Sequence, residues 1–315
     1  MGNLSDVRYA DLPLLTADGD ERHAWEHWGA GDPLGTLNRI TPEVRRDAVA
    51  TVRTGETINL DLPLDVPYPT LFGRRPYQHT FTGPSKRNFI DDRIDDLFPQ
   101  ASTQWDGFRH LVIPDHGWFS GVQIDFENDR DTIGVQHWAS GIIGRGVLVD
   151  ISERTLAALA EDPAAPVDPI EADELQAAID ATGEPLRPGD ILCVRTGWMQ
   201  YYHDADAAER EAVAGRFTWP GLSGSSEMAE LLWDSGVAAV TADNPGVEAA
   251  PGRRGSGRLH RPAPALSAMP FGELLRFDAL HVALSAQQRS SFLFMAVPLN
   301  IPGGVGSTGN AVAML

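Results

Sequence analysis

An α/β fold in a single domain is predicted from two features of the chain. In the second half, short apolar runs that suit buried strands alternate with segments of helical period, each bounded by glycine or proline. The first half is irregular, turn-rich and strand-biased, which argues against a simple doubly wound sheet. No internal repeat, low-complexity tract or linker composition interrupts the 315 residues. Residues 1–315 are therefore expected to form one domain, with 1–40 as an irregular segment pinned onto it by its tryptophans.

The elements follow in order. Thr41, Pro42 and Glu43 combine a capping hydroxyl, a first-turn proline and an acid near the positive end of a helix dipole. Val44, Ala48 and Val52 then share a face, and Gly55 stops the helix. Ile58 to Leu64 alternates as a strand does. Residues 66–99, rich in proline, glycine and aromatics, suggest a long loop or short hairpin that covers something. From Leu111 the pattern suggests short strands broken by glycines, ending in the run Gly144 to Asp150. Helices are expected at 153–160 and 172–181, where Leu175, Ala178 and Ile179 share a face. The turn Pro188-Gly189-Asp190 leads into a strand at 191–196. Ser225 or Ser226 caps a helix through Trp233, and Gly236 ends it before a strand from Val237 to Val240. Phe292 to Val297 is a last apolar strand before a glycine-rich stretch at 301–309.

Composition narrows the function. With 25 basic against 44 acidic residues the formal charge is −19, a field that repels phosphate backbones and anionic lipid. Neither a nucleic acid nor a membrane is expected as a partner, whereas a small-molecule substrate is. Cys193 is the one cysteine, so neither an internal disulfide nor a thiolate metal cluster is available. It lies in the apolar run Ile191 to Val194 and is expected to be a packed thiol. No signal peptide or spanning segment is visible, and a cytoplasmic location is expected. Val305 to Asn310 does not match a dinucleotide fingerprint, the glycines at 141, 144 and 146 precede a strand, and no nucleophile elbow is present. No organic cofactor is expected.

Three polar islands could carry chemistry. In Thr103-Gln104-Trp105-Asp106-Gly107-Phe108-Arg109-His110 a carboxylate and an imidazole stand four apart, on backbone that Gly107 and the aromatics make extended or turning. The pair suits metal ligation, an Asp-oriented acid–base histidine, or a structural hydrogen bond. His137 lies between apolar residues in Gln136-His137-Trp138. His260 precedes Glu273 by thirteen residues, a spacing that matches no zinc-helix motif. Asp243 to Glu248 follows a predicted strand, where open α/β sheets place functional loops.

These residues resemble a known family, the cyclase and kynurenine-formamidase-like metal-dependent hydrolases. The likeness runs from Trp28-Gly29, Asp32 and Gly35-Thr36-Leu37-Asn38, through Gly189-Asp190-Ile191-Leu192 and Arg195-Thr196-Gly197-Trp198, to Pro298-Leu299-Asn300 and Ser307 to Asn310. The usual family motif carries two early histidines and an aspartate that bind metal, a last histidine as acid–base group, and a later His and Glu. Here Thr103, Asp106 and His110 fit that motif, His260 and Glu273 fit the later pair, and Gln100 and Gln104 stand where the early histidines would be. A divergent branch is implied, with His137-Trp138 and the stretch Gly141 to Leu148 as further marks. Because a glutamine offers only a weak carbonyl ligand, the double replacement removes most of the usual site.

The resemblance implies a swivelling β/β/α fold, commonly assembled as a homodimer or larger homo-oligomer. It implies a hydrolase acting on an amide, lactam or lactone-type carbonyl of a small aromatic molecule. One divalent ion, Zn or Mn, is expected on Asp106, His260 and Glu273. His110, Asp106 and Glu273 are the expected catalytic groups, and water is activated by the metal or by His110 directly. Gln104, Trp105, Phe108, Arg109 and His137 are expected to line the substrate pocket, with Phe72 and Trp118 as further walls. A dehydratase or cyclase on the same fold, and a catalytically inactive small-molecule-binding protein, remain as alternatives.

Overall fold

The computed structural model describes residues 7–84, 89–251 and 266–315. Among them, nine strands form one mixed sheet. The strands are β1 (Thr57–Asn59), β4 (Gln104–Asp106), β5 (Ile142–Asp150), β6 (Ile191–Arg195), β7 (Ala239–Ala242), β8 (Phe271–Glu273), β9 (Ser291–Ala296), β10 (Gly306–Thr308) and β11 (Ala311–Met314). Their spatial order is β1-β11-β9-β5-β6-β7-β8-β4-β10. The centre, β5-β6-β7-β8, is parallel, and both flanks are antiparallel. A separate hairpin pairs β2 (Gln78–Thr82) with β3 (Asp91–Asp95). It falls within the long segment expected to be a loop or hairpin.

The parallel centre is buried on both faces because its residues alternate between two apolar layers. On β6, Ile191 and Cys193 face one layer with Phe292, Phe294, Leu280 and Leu284, while Leu192 and Val194 face another with Leu175, Ile179, Met228 and Leu232. Strand β9 supplies the two phenylalanines, and helices α3 (Ala172–Ala181), α6 (Ser226–Asp234) and α7 (Asp278–Ala286) supply the other partners. Cys193 is fully buried, and loss of hydration pushes its thiol up to about 12. It is a packing residue, as the apolar run implies.

Several local signals act as expected. Thr41 Oγ1 accepts from Val44 N at the start of α1 (Pro42–Val49), which ends a turn earlier than Val52. Ser225 accepts from Met228 N at 3.1 Å and caps α6. Helix α2 (Ser152–Glu161) matches the segment expected at 153–160. Among the described residues, helices α4 (Trp198–Asp204) and α5 (Ala207–Gly215) complete the set; these two and α7 lie where the sequence pattern predicts no helix. The strands expected from Leu111 are a correction. Residues 111–141 form tight turns and 3-10 segments, with one isolated bridge between Ile113 and Gly117. Gly117 and Gly121 hold positive φ there and fold the chain back on itself, so no ladder extends.

The N-terminal segment packs on α6, where Tyr9, Leu12 and Ala24 meet Ala229 and Trp233. Trp233 donates to Val7 O at 2.8 Å, and Arg39 lies over its ring at 4.5 Å. Beneath the sheet, Arg145 on β5 binds both carboxylate oxygens of Asp190 at 3.0 and 2.6 Å, and both residues are buried. This fork joins β5 to the turn that begins β6. No described helix is long and apolar enough to cross a membrane.

Candidate active site

The chemistry gathers where β4 lies between β8 and β10. Antiparallel register sets Gln104 opposite Glu273, Trp105 opposite Gly272 and Asp106 opposite Phe271; on the other edge Gly306 faces Asp106. Alternation along β4 directs Gln104 and Asp106 to one face and Trp105 to the other. Cross-strand partners share a face, so Glu273 joins Gln104. All three polar residues are buried. The Gln104 side-chain N–H donates to the Glu273 carboxylate. Gln104 Oε1 has no hydrogen-bond partner among the described residues, and an orphaned buried acceptor of this kind is costly.

Thr103 fastens the strand from behind. Its hydroxyl accepts from Leu62 N at 2.8 Å and donates to Leu274 O at 2.6 Å. After Asp106 the chain turns sharply at Gly107, whose N–H donates to Val305 O at 2.9 Å. A Cβ on Gly107 would lie 2.5 Å from that carbonyl oxygen, so the close approach requires glycine. The turn closes through His110 N to Gly107 O at 2.8 Å and brings the imidazole back to Asp106. His110 Nε2 lies 3.5 Å from Asp106 Oδ2, with the histidine side chain 34% exposed and the carboxylate 4%. A wet imidazole leans on a dry carboxylate. That arrangement orients the ring.

The sequence analysis missed Arg74. It follows the turn Leu71–Gly73 and donates to the backbone oxygen of Gln100. Burial lowers its pKa, while the charges of Asp106 and Glu273 raise it, which places the guanidinium in the field of both carboxylates. The available signal was the long loop itself, which had to cover something. Which of its basic residues turns inward is decided by the tertiary fold.

The other expected residues are placed as follows. Trp105 and Phe108 are core side chains: Trp105 donates to Gly309 O at 2.9 Å, and Phe108 packs on Phe119 and Trp138. Both rings are buried, on the inner face of the strand and turn, where they complete the core. Arg109 is 2% exposed and bonds to the backbone oxygens of Thr132, Asp129 and Gly303, with the Asp129 carboxylate at 3.0 Å. It braces loops. His137 is bound to Asp131, through its backbone oxygen at 2.6 Å and its carboxylate at 3.4 Å. Trp118 donates to Arg109 O.

Asp243 is buried at the end of β7 and accepts from Thr196 N, Thr196 Oγ1 and Gly197 N. Desolvation pushes its carboxyl up to about 6 against those three donors. The expected third metal ligand, His260, lies outside the described residues.

Of the three expected metal ligands, the described residues include Asp106 and Glu273. Among the described residues no three His, Cys, Asp or Glu side chains converge to hold an ion. Gln104 presents an N–H to Glu273, and a cationic guanidinium shares the field of both acids. No step below is routed through a metal.

The sequence profile of the family described as Putative cyclase matches residues 58–249. No curated protein matches the chain by sequence. Among solved structures, one described as a novel cyclase is 28% identical, with a TM-score of 0.78 over 93% of this chain and 99% of that one. Isatin hydrolase A from Ralstonia solanacearum is 18% identical with a TM-score of 0.56, over 87% of this chain and 97% of its own. Isatin hydrolase A from Labrenzia aggregata, bound to benzyl benzoate, is 17% identical with a TM-score of 0.55, over 85% and 95%. The two isatin hydrolases share the fold, with its mixed sheet and flanking helices.

Proposed function

The chain belongs to the cyclase family, and from that membership we propose that it hydrolyses a carbonyl–nitrogen bond in a small aromatic molecule. The observation that carries this reading is the His110–Asp106 pair set beside Gln104, whose buried carbonyl oxygen awaits a donor. An amide or lactam N–H supplies that donor; an ester does not. The names of the isatin hydrolases agree with a cyclic amide, and the likeness to them bears on the fold.

In this mechanism His110 keeps Nε2 towards Asp106 and takes a proton from water on Nδ1. The hydroxide adds to the carbonyl carbon and the C=O electrons move to oxygen. Collapse of the intermediate breaks the C–N bond, and the proton on His110 passes to the leaving nitrogen. One water is consumed, and an acid and an amine result. Asp106 faces the imidazolium as it forms, while the Gln104–Glu273 pair positions the substrate nitrogen. The reading carries with it a cytoplasmic homo-oligomer, the second part of which light scattering on the purified chain tests.

The test is a panel of small aromatic lactams, amides and lactones, isatin first, followed by mass spectrometry. A product heavier than its substrate by one water is expected. A product lacking that water would turn the reading to dehydration or cyclisation. Binding without any product would turn it to a small-molecule-binding protein.

A further inference from the structure

The approach to the site carries a cluster that the acid–base pair does not use. Phe72 sits at a φ of +60°, in the left-handed region that a phenylalanine rarely adopts, and its ring is 40% exposed. It meets Phe217 edge-on at 6.0 Å and Trp219 at 5.4 Å, and Phe217, 61% exposed, lies 4.7 Å from Trp219. Phe72 and Phe217 leave much of their rings in water, where they contribute little to folding, while Trp219 behind them is buried.

The Arg74 guanidinium lies 4.9 Å from the centre of the Phe72 ring. One amino group bonds to Gln100 O, and its remaining N–H groups have no hydrogen bond among the described residues. The amide of Gln100 presses on Gly306, where a Cβ would come within 2.5 Å of Nε2, and Gly306 is the strand partner of Asp106. Cation and aromatic rings therefore converge on the edge of the sheet that carries the catalytic aspartate.

We propose that Phe72, Arg74, Phe217 and Trp219 form the anchoring subsite of this enzyme, and that it takes an aromatic ring bearing an anionic oxygen. A guanidinium stacked on one ring keeps its N–H edge for a carboxylate, and the neighbouring rings receive an aromatic body edge-on. The charges of Asp106 and Glu273 hold the guanidinium in its cationic form, which a carboxylate can meet as a direct charge-assisted partner. The subsite deepens the hydrolase reading and takes its orientation from it: the same guanidinium would meet the carboxylate released when a lactam opens.

Binding tests it apart from turnover. Benzoate, benzamide and acetate are titrated into the full chain by calorimetry, with the variants Arg74→Gln, Phe217→Ala and His110→Ala. Benzoate is expected to bind at least about tenfold more tightly than benzamide or acetate. Arg74→Gln should weaken it about 10- to 100-fold, the loss expected for a charge-assisted hydrogen bond. Phe217→Ala, at an exposed rim position whose loss does not threaten folding, should weaken it severalfold. His110→Ala should keep benzoate binding while losing turnover, so failure of the hydrolase reading is separable from failure of the subsite. Absence of benzoate binding to the wild type, or equal affinity in Arg74→Gln or Phe217→Ala, would overturn the proposal.

Discussion

Gln104 on β4 donates its amide hydrogen to Glu273, its direct cross-strand partner on β8. The bond joins two segments 169 residues apart in the chain and fixes which face of each strand is polar. Gln104→Leu removes a partner from a buried carboxylate and is expected to destabilise the fold by about 1–3 kcal/mol. Chemical denaturation of wild type and variant measures this. An unchanged midpoint would mean that the pair does not hold β4 to β8.

Arg145 and Asp190 form a buried fork between β5 and the β6 turn. Arg145→Met alone leaves a buried carboxylate that has lost its cation, and should cost about 3–5 kcal/mol. The double variant Arg145→Met, Asp190→Leu should recover much of that loss, since neither charge is then stranded. Denaturation midpoints of the three proteins check it; equal losses in single and double variants would contradict it.

Asp243 gives a pH signature. Its folded-state carboxyl sits at about 6, raised by burial above the ordinary aspartate value. Between about pH 4 and pH 6 the folded state thus binds more protons than the unfolded state, so this group's contribution to stability falls as pH rises through that window. From pH 4.5 to 7.5 the fall should be about 2 kcal/mol. Asp243→Asn lacks it, so the stability difference between wild type and variant should shift in the variant's favour by that amount. Parallel denaturation at the two pH values reads the shift, and a pH-independent difference would contradict it.

Much of the fold was legible because local chemistry and tertiary need agree at particular residues. Leu175 and Ile179 mark a helix face that ends at Ala181, and Ser225 caps α6 as its hydroxyl predicts. Ile191 to Val194 is an apolar run because both faces of its strand are covered. Helix α4 escaped notice: it starts after Gly197 at positive φ with no side-chain cap, and its aromatics pack in directions a short window does not reveal. In the site, Asp106 and His110 were visible through spacing, and the resemblance pointed to Glu273. Arg74 was not, since its relation to Asp106 and Glu273 exists only once the turn Leu71–Gly73 brings it to the Gln100 backbone. Trp105 and Arg109 have types that suit a pocket, but their burial in the core and their loop contacts depend on the tertiary fold and are not readable from residue type.

The most direct measurement is the rate of water addition to the fastest substrate of the lactam and amide panel, wild type against His110→Ala. The side chain is 34% exposed, so the substitution should leave the melting temperature within a few degrees. The account predicts a fall in kcat of about 10²- to 10⁴-fold, the range for loss of a general base. Turnover undiminished in a folded His110→Ala protein would contradict it, and would move the chemistry away from the His110–Asp106 pair.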